Sequence, residues 1–247
     1  MAIKPNFTHK KKRKKHGATF WDAEYTKPEH LKLSEKPSED LEKFTRWLIR
    51  RKREDILSND ANVLDVGCGN GRNLVFLVEN FGLKGIGYDI STAAIAQAIA
   101  MSKGLPIKYT ARSIAGDLEI ENESQDLVLD MMTSHFLNQD ERLTLRDEIF
   151  KILKPGGFLF IKTFLKDKDL HTERLIKSRP GTEDSSYIHP VMGVQEYVYS
   201  EEELTDFLSE KFIIHKIYRS HKHAFRGRAR KRRTITIYAE KPFIRHK

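Results

Sequence analysis

The stretch Val63-Leu64-Asp65-Val66-Gly67-Cys68-Gly69-Asn70-Gly71-Arg72-Asn73 constrains this chain more than any other. An aliphatic run closed by an acid enters three glycines at alternate positions and leaves into helix-favouring residues. That is a strand-to-helix turn whose backbone comes close to a ligand. A dinucleotide turn spaces its glycines G-x-G-x-x-G, with the second set by pyrophosphate approach. Here the spacing is G-x-G-x-G, with Asp65 two residues before the first glycine. It suits a ligand that lacks phosphate and presents an ammonium group to a carboxylate.

Downstream, short apolar runs alternate with helical stretches, the pattern of a doubly wound parallel sheet. Strands are predicted at Asn62 to Val66, Lys84 to Asp89, Ile107 to Ala111, Leu127 to Met131, Phe158 to Thr163, Phe212 to Arg219 and Thr234 to Glu240. Asp89 ends the second strand, where an acid accepts hydrogen bonds from ribose hydroxyls. A helix over 38–57 starts at Ser38 with Leu41, Phe44, Leu48 and Ile49 on one face. Further helices run from the N-cap Ser91 to Ser102, from about Asp140 to Leu153, stopped by Lys154-Pro155-Gly156-Gly157, and from Ser200 to Glu210. Residues 1–18 read as a disordered basic arm and 19–37 as an irregular lead-in. The domain proper is expected over 19–247, with 165–199 as a long, lid-like connection.

The net charge of +9 is unevenly placed. Lys10 to Lys15 is an unbroken basic run, His221 to Arg233 holds seven Lys or Arg and no acid, and the remainder is net acidic, about −4. Two basic patches on a mildly acidic globule predict a polyanionic partner, with solvated charge as the plainer alternative. The single cysteine, Cys68, excludes an intramolecular disulfide and a cysteine-only metal site. No apolar run has membrane-span length and no secretory signal is legible, so a cytoplasmic protein is expected. Apart from His221 and His223, which read as phosphate contacts, the histidines show no metal-ligand pairing, and no metal is expected.

On Leu64 to Asn73, and over roughly residues 40 to 240, the chain resembles class I S-adenosylmethionine (SAM)-dependent methyltransferases. The glycine turn is especially similar to the tellurite-resistance-type branch, and Leu153-Lys154-Pro155-Gly156-Gly157-Phe158 to the family's turn before its fifth strand. The resemblance implies a Rossmann-like α/β fold, a doubly wound seven-stranded sheet that is mostly parallel with its last strand antiparallel. It implies SAM as cofactor, held by Asp65, Gly67, Gly69, Asn70, Gly71, Asp89 and Ile90, with Ser113 and Ile114 by the adenine and Asp130 ending the fourth strand. Asp117 stands a few residues later than the acid the family often carries near the adenine.

The acceptor is less legible, because methyl transfer needs alignment and water exclusion more than particular side chains. Asp130-Met131-Met132-Thr133 differs from the N-P-P-Y tetrapeptide of base-amino methyltransferases, and Cys68 sits wrongly for a pyrimidine C5 nucleophile. Residues 155–164 and 227–237 resemble heat-shock ribose 2′-O-methyltransferases of ribosomal RNA. That likeness implies catalytic roles for Asp130 and Lys162 in a Lys-Asp-Lys-Glu tetrad, with Arg46 nearest the first Lys and Thr234 near the Glu position. The alternative for Lys162 is a snorkelling strand-end lysine.

In the implied topology the hairpin 221–233 projects from the carboxyl ends of the strands, the ligand face. Arg226, Arg228, Arg230, Lys231, Arg232 and Arg233 are then the expected RNA contacts, with Lys222 beside them and Phe225 free to stack. His135, Tyr187, His189, Tyr197 and Tyr199 are candidates either for proton removal or for structure. Trp21 and Tyr25 pack on the helix begun by Ser38 or fold over the cofactor. The expected activity is SAM-dependent methylation of RNA, ribosomal RNA among the candidates, with RNA or the ribosome as partner. The rivals are a protein or small-molecule methyltransferase and a non-catalytic RNA-binding factor that keeps a SAM pocket.

Overall fold

The computed structural model describes residues 16–29, 33–220, 224–225, 228–229 and 231–243. In chain order its helices are α1 (His16–Thr26), α2 (Glu39–Arg50), α3 (Arg72–Phe81), α4 (Thr92–Met101), α5 (Gln139–Ile152), α6 (Leu170–Ser178) and α7 (Glu201–Ser209). The strands are β1 (Asn62–Val66), β2 (Lys84–Asp89), β3 (Ile107–Ala111), β4 (Gln125–Met131), β5 (Leu153–Phe164), β6 (Ser186–Ile188), β7 (Gln195–Tyr197), β8 (Ile213–Arg219), β9 (Ala224–Phe225), β10 (Arg228–Ala229) and β11 (Thr234–Glu240).

Seven strands form one sheet in the order β3-β2-β1-β4-β5-β11-β8. The first five are mutually parallel, and β11 runs antiparallel to both its neighbours. The order reverses at β1 and β4, so the carboxyl ends of those strands open the crevice where such sheets bind ligands. Side-chain alternation splits the core. Leu64, Val66, Val128, Leu159 and Ile161 pack with α5 and α7 on one face, while Val63, Leu127, Leu129, Phe158 and Phe160 pack with α2 and α3 on the other. Phe44 of α2 anchors the second face, its ring 4.6–6.0 Å from those of Tyr238, Phe160 and Phe158.

Five of the seven sheet strands agree with the sequence reading to within a residue or have the same bounds. β4 starts two residues early, and β5 absorbs Lys154 to Gly157, expected as a turn, because Leu153 already pairs with Gln125 and Gly156 N–H donates to Lys241 O at 2.8 Å. The helix expected over 38–57 ends at Arg50, with a 3₁₀ turn at Glu54–Leu57. The irregular lead-in is helical from His16, which also takes the last three residues of the expected disordered arm; the rest of the arm lies outside the described residues. Propensity did not indicate α1, because tertiary contacts with α4 hold it. The 165–199 connection contains α6 and the β6–β7 hairpin. Among the described residues no helix is long and apolar enough to cross a membrane.

Candidate active site

The glycine turn is held by its neighbouring strand. Gly67 and Cys68 N–H groups donate to Tyr88 O at 2.7 and 2.9 Å, and Gly69 N–H donates to Asp89 Oδ2 at 2.9 Å. Gly67 and Gly69 have φ of +82° and +56°, a region that side-chain-bearing residues avoid. A Cβ on Gly67 would fall inside the Thr133 side chain, and one on Gly69 would strike the Tyr25 hydroxyl. The turn therefore leaves bare backbone facing a cavity of about 1030 Å³, bounded by Gly67, Gly69, Asn70, Asp89, Ile90, Ser113 and Ile114 among others. That volume is at the upper end for a small-molecule site, roughly 300–1,000 Å³, and leaves room for an acceptor beside a cofactor.

The expected cofactor residues divide by depth. Asp89 is on the wall; burial raises its pKa, while the N–H groups of Ser91 and Gly69 pull it back. Each of its oxygens accepts one of those N–H bonds, which leaves lone pairs for two hydroxyls. Asn70 is also on the wall, its Nδ2 donating to Ser34 O at 3.1 Å. Gly71 and Asp65 lie behind it. Gly71 has φ of +80° at the N-cap of α3 and abuts Tyr109. Asp65 is fully buried and neither of its oxygens has a hydrogen-bond partner. Burial, with Asp89 and Asp130 nearby and Arg72 opposing, raises its pKa to about 8. Asp117 is exposed and off the wall; Arg112 lines it directly before Ser113, its guanidinium 4.9 Å from the Tyr88 ring. Sequence reasoning passed over Arg112 and also Arg72, which lines the cavity directly after the turn.

Two covers close the site. Trp21 and Tyr25 of α1 line the cavity, with Trp21 edge-on to Phe136 at 5.2 Å. Asp22 Oδ1 accepts from Ser91 Oγ at 2.7 Å and Ala93 N at 3.1 Å, which fixes α1 to the start of α4. So α1 folds over the cavity, whereas the simpler expectation packed its aromatic residues on α2. The second cover is the 165–199 segment, which reaches the wall through Gly193, Val194 and Gln195.

The expected catalytic pair is not brought together. Asp130 shares the sheet face of Val128 and Ile161, where it lines a small void of about 20 Å³ with Arg142 and Tyr199; Lys162 lies on the opposite face with Phe160. Strand alternation forces this separation, because Asp130 is in register with Ile161 while Met131 is in register with Lys162. Asp130 accepts from Ser134 N–H at 3.1 Å, and burial raises its pKa to about 6. It is not among the residues that line the large cavity. Lys162 is on that wall, its Nζ 2.6 Å from Asp40 Oδ2. Neither Arg46, paired with Glu42, nor Thr234, paired in register with Phe164, completes a tetrad.

The expected phosphate contacts also change. Arg232 is turned inward, 2.6 Å from the Glu196 carboxylate and 3.2 Å over the Phe164 ring. Arg233 donates through its backbone N–H to Asp169 and through Nη1 to Asp167 O, both at 2.6 Å. These two residues bolt the 165–199 cover to the sheet, Arg232 through the buried Glu196 carboxylate and Arg233 through the Asp169 carboxylate and the Asp167 carbonyl. Lys231 remains at the surface. Arg226, Arg230, Lys222, His221 and His223 lie outside the described residues, as does the Arg228 side chain. Tyr187 donates to Glu196, and Tyr199 is buried beside Tyr197. His135 is buried against Phe136 and Phe164 with neither ring nitrogen hydrogen-bonded, and burial lowers its pKa to about 4. None of these four lines the cavity.

The donor set fits SAM. The bare turn admits its methionine portion, Asp89 has lone pairs left for its ribose hydroxyls, Ile90 and Ile114 offer apolar walls to its adenine, and the orphaned Asp65 carboxyl behind the turn is an acid with no partner, able to give up its proton opposite an ammonium. Residues 63–157 match the methyltransferase domain family. An uncharacterized protein of Haemophilus influenzae is 33% identical over 120 residues, 47% of each chain. A tRNA (carboxymethyluridine(34)-5-O)-methyltransferase of Arabidopsis thaliana is 28% identical over 139 residues, 56% of this chain and 32% of that protein. The chain spans about half the length or less of the curated relatives it matches. A SAM-dependent methyltransferase structure from Methanosarcina mazei superposes with a TM-score of 0.61 at 23% identity, over 77% of this chain and 97% of that one. The matched segment holds the glycine turn, Asp89 and the crevice between β1 and β4, so residues 63–157 are similar to a methyltransferase domain and the chain shares the fold of a solved SAM-dependent methyltransferase.

Proposed function

We propose that this chain transfers a methyl group from SAM to RNA. When bound, SAM supplies an electrophilic methyl carbon on a sulfonium. The observation that carries the reading is the cavity itself, with Gly67, Gly69 and Asp89 at one part of its wall and Ser38, Asn73 and Lys162 at another, beneath two covers. The chain's residues then align the acceptor and exclude water, which is most of what an in-line displacement requires.

RNA as acceptor is supported by charge. Arg46, Arg50, Arg51 and Lys52 are exposed along and just after α2, whose N-terminal Ser38 lines the cavity, and Lys10 to Lys15 runs directly into α1, which covers it. Exposed basic residues on the helix whose N-cap lines the cavity suit a phosphate backbone that delivers one nucleotide. The similarity to a tRNA methyltransferase supports the same class. A small-molecule acceptor is the second reading, favoured by Arg232 and Arg233 serving the fold instead of the surface.

The test is transfer of radiolabelled methyl from SAM into extract of a deletion strain, separated into RNA, protein and small molecules, with Asp89→Ala as control. Label in RNA that disappears with the control is the expected result. Label confined to another fraction overturns the RNA assignment, and no label in any fraction overturns methyl transfer.

A further inference from the structure

We propose that the methyl acceptor is an anionic oxygen, a carboxylate, held by Lys162 and Ser38. This deepens the reading above and rests on methyl transfer occurring in that cavity.

Lys162 enters the cavity from the end of β5. Its ammonium is fixed by Asp40 Oδ2 at 2.6 Å, and Lys43 Nζ holds the other oxygen, Oδ1, at 3.0 Å. The Lys43–Asp40–Lys162 group therefore carries one net positive charge, and Lys162 keeps donors beyond the one given to Asp40. Ser38 is on the same wall, two residues before Asp40, and its side chain makes no capping bond to α2. The neighbouring Asn73 is already engaged: its Oδ1 accepts Ser38 N–H and its Nδ2 lies 3.3 Å from Met131 Sδ. An ammonium and a hydroxyl on one wall match one oxygen of a carboxylate and leave the other to attack.

The same wall lacks a base suited to a neutral hydroxyl. Among the described residues its carboxylates are Asp89, committed to two backbone N–H groups by the glycine turn, and Glu141, committed to the Asn138 N–H in the capping box of α5. His135 and Asp130 are off the wall. A carboxylate needs no base. One of its oxygens gives a lone pair to the methyl carbon as the carbon–sulfur bond breaks and its electron pair stays on sulfur. The products are an ester and a neutral thioether, and no proton is released. Two opposite charges vanish beneath the covers, which a site that excludes water favours.

The full-length protein is incubated with methyl-labelled SAM and total RNA from a deletion strain, and the labelled fraction is brought to about pH 10. Label released as volatile methanol is expected, because a methyl ester hydrolyses there while methyl ethers and methylamines do not. Label that stays on nucleosides overturns the proposal. Should label enter protein or small molecules instead, the same treatment decides the acceptor's chemistry while the RNA assignment alone falls; no label anywhere sinks both. With SAM saturating at every pH, the rate is expected to be flat from pH 6 to 8, and a tenfold rise per unit would reveal a hydroxyl that needs deprotonation. Lys162→Met is expected to raise the KM for acceptor at least tenfold with SAM affinity unchanged, and Lys162→Arg to recover most of it. A loss of SAM affinity and of Tm together, unrelieved by arginine, would assign Lys162 a structural role and overturn the anchor.

Discussion

Replacing Asp65 with Asn removes a charge liability without changing shape. The carboxyl is fully buried with both oxygens unpartnered, and its pKa is raised from 3.8 to about 8, chiefly by burial and secondarily by Asp89 and Asp130. Since the folded value lies above the unfolded one, folding at neutral pH requires this group to take up a proton. The cost is absent below pH 3.8, grows by about 1.4 kcal/mol per unit as pH rises, and levels off above 8. At pH 7 it is on the order of 4 kcal/mol, and an amide never incurs it. The ligand-free Asp65→Asn protein is therefore expected to melt higher, by roughly 10 °C at pH 7 and by almost nothing at pH 4. Binding should move the other way. A cationic cofactor draws the proton from Asp65, so wild-type affinity for SAM is expected to rise with pH from 6 to 8, by up to about tenfold per unit. The Asn protein should bind more weakly and lose that slope. Calorimetric melting across pH 4–8 and titration with SAM read both quantities. A variant that melts with the wild type at pH 7, or gains no more there than at pH 4, would refute the reasoning.

Gly67→Ala drives a methyl group into Thr133 at a φ of +82°, and at least a tenfold loss of SAM affinity should appear by titration. Arg232→Met strands the buried Glu196 carboxylate, so urea unfolding is expected to report about 3–5 kcal/mol of lost stability. RNA affinity should meanwhile keep its salt slope; unchanged stability with a shallower slope would return Arg232 to phosphate contact. His135 is held neutral with its pKa lowered to about 4, so the stability it contributes above pH 6.5 is lost as pH falls from 6.5 to 4. His135→Phe, set between Phe136 and Phe164, should flatten that acid limb in melting curves; an unaltered limb would place its cause elsewhere.

The sheet was legible because its signals are local. Val63 to Val66 and Thr234 to Glu240 are apolar runs between breakers, and a central strand buried on both faces cannot be written otherwise. Ser91 and Ser200 announced their helices because a cap is made within four residues. The glycine turn was legible for the same reason, since side-chain-bearing residues avoid the backbone conformation at Gly67 and Gly69. Asp130 and Lys162 could not be assigned to one face from the sequence, because a strand-end residue's surroundings depend on which face it occupies, and one position of register decides that.

The sequence by itself therefore determined the α/β class, the strand order's raw material, the glycine turn and Asp89, all of them short-range patterns in the chain. Only the tertiary structure decided that α1 would close the cavity, that Arg232 and Arg233 would bolt the 165–199 cover, and that Asp40 would hold Lys162 in the wall. Those contacts join residues from 36 to 122 positions apart, and their charges find partners only once burial withdraws water from them.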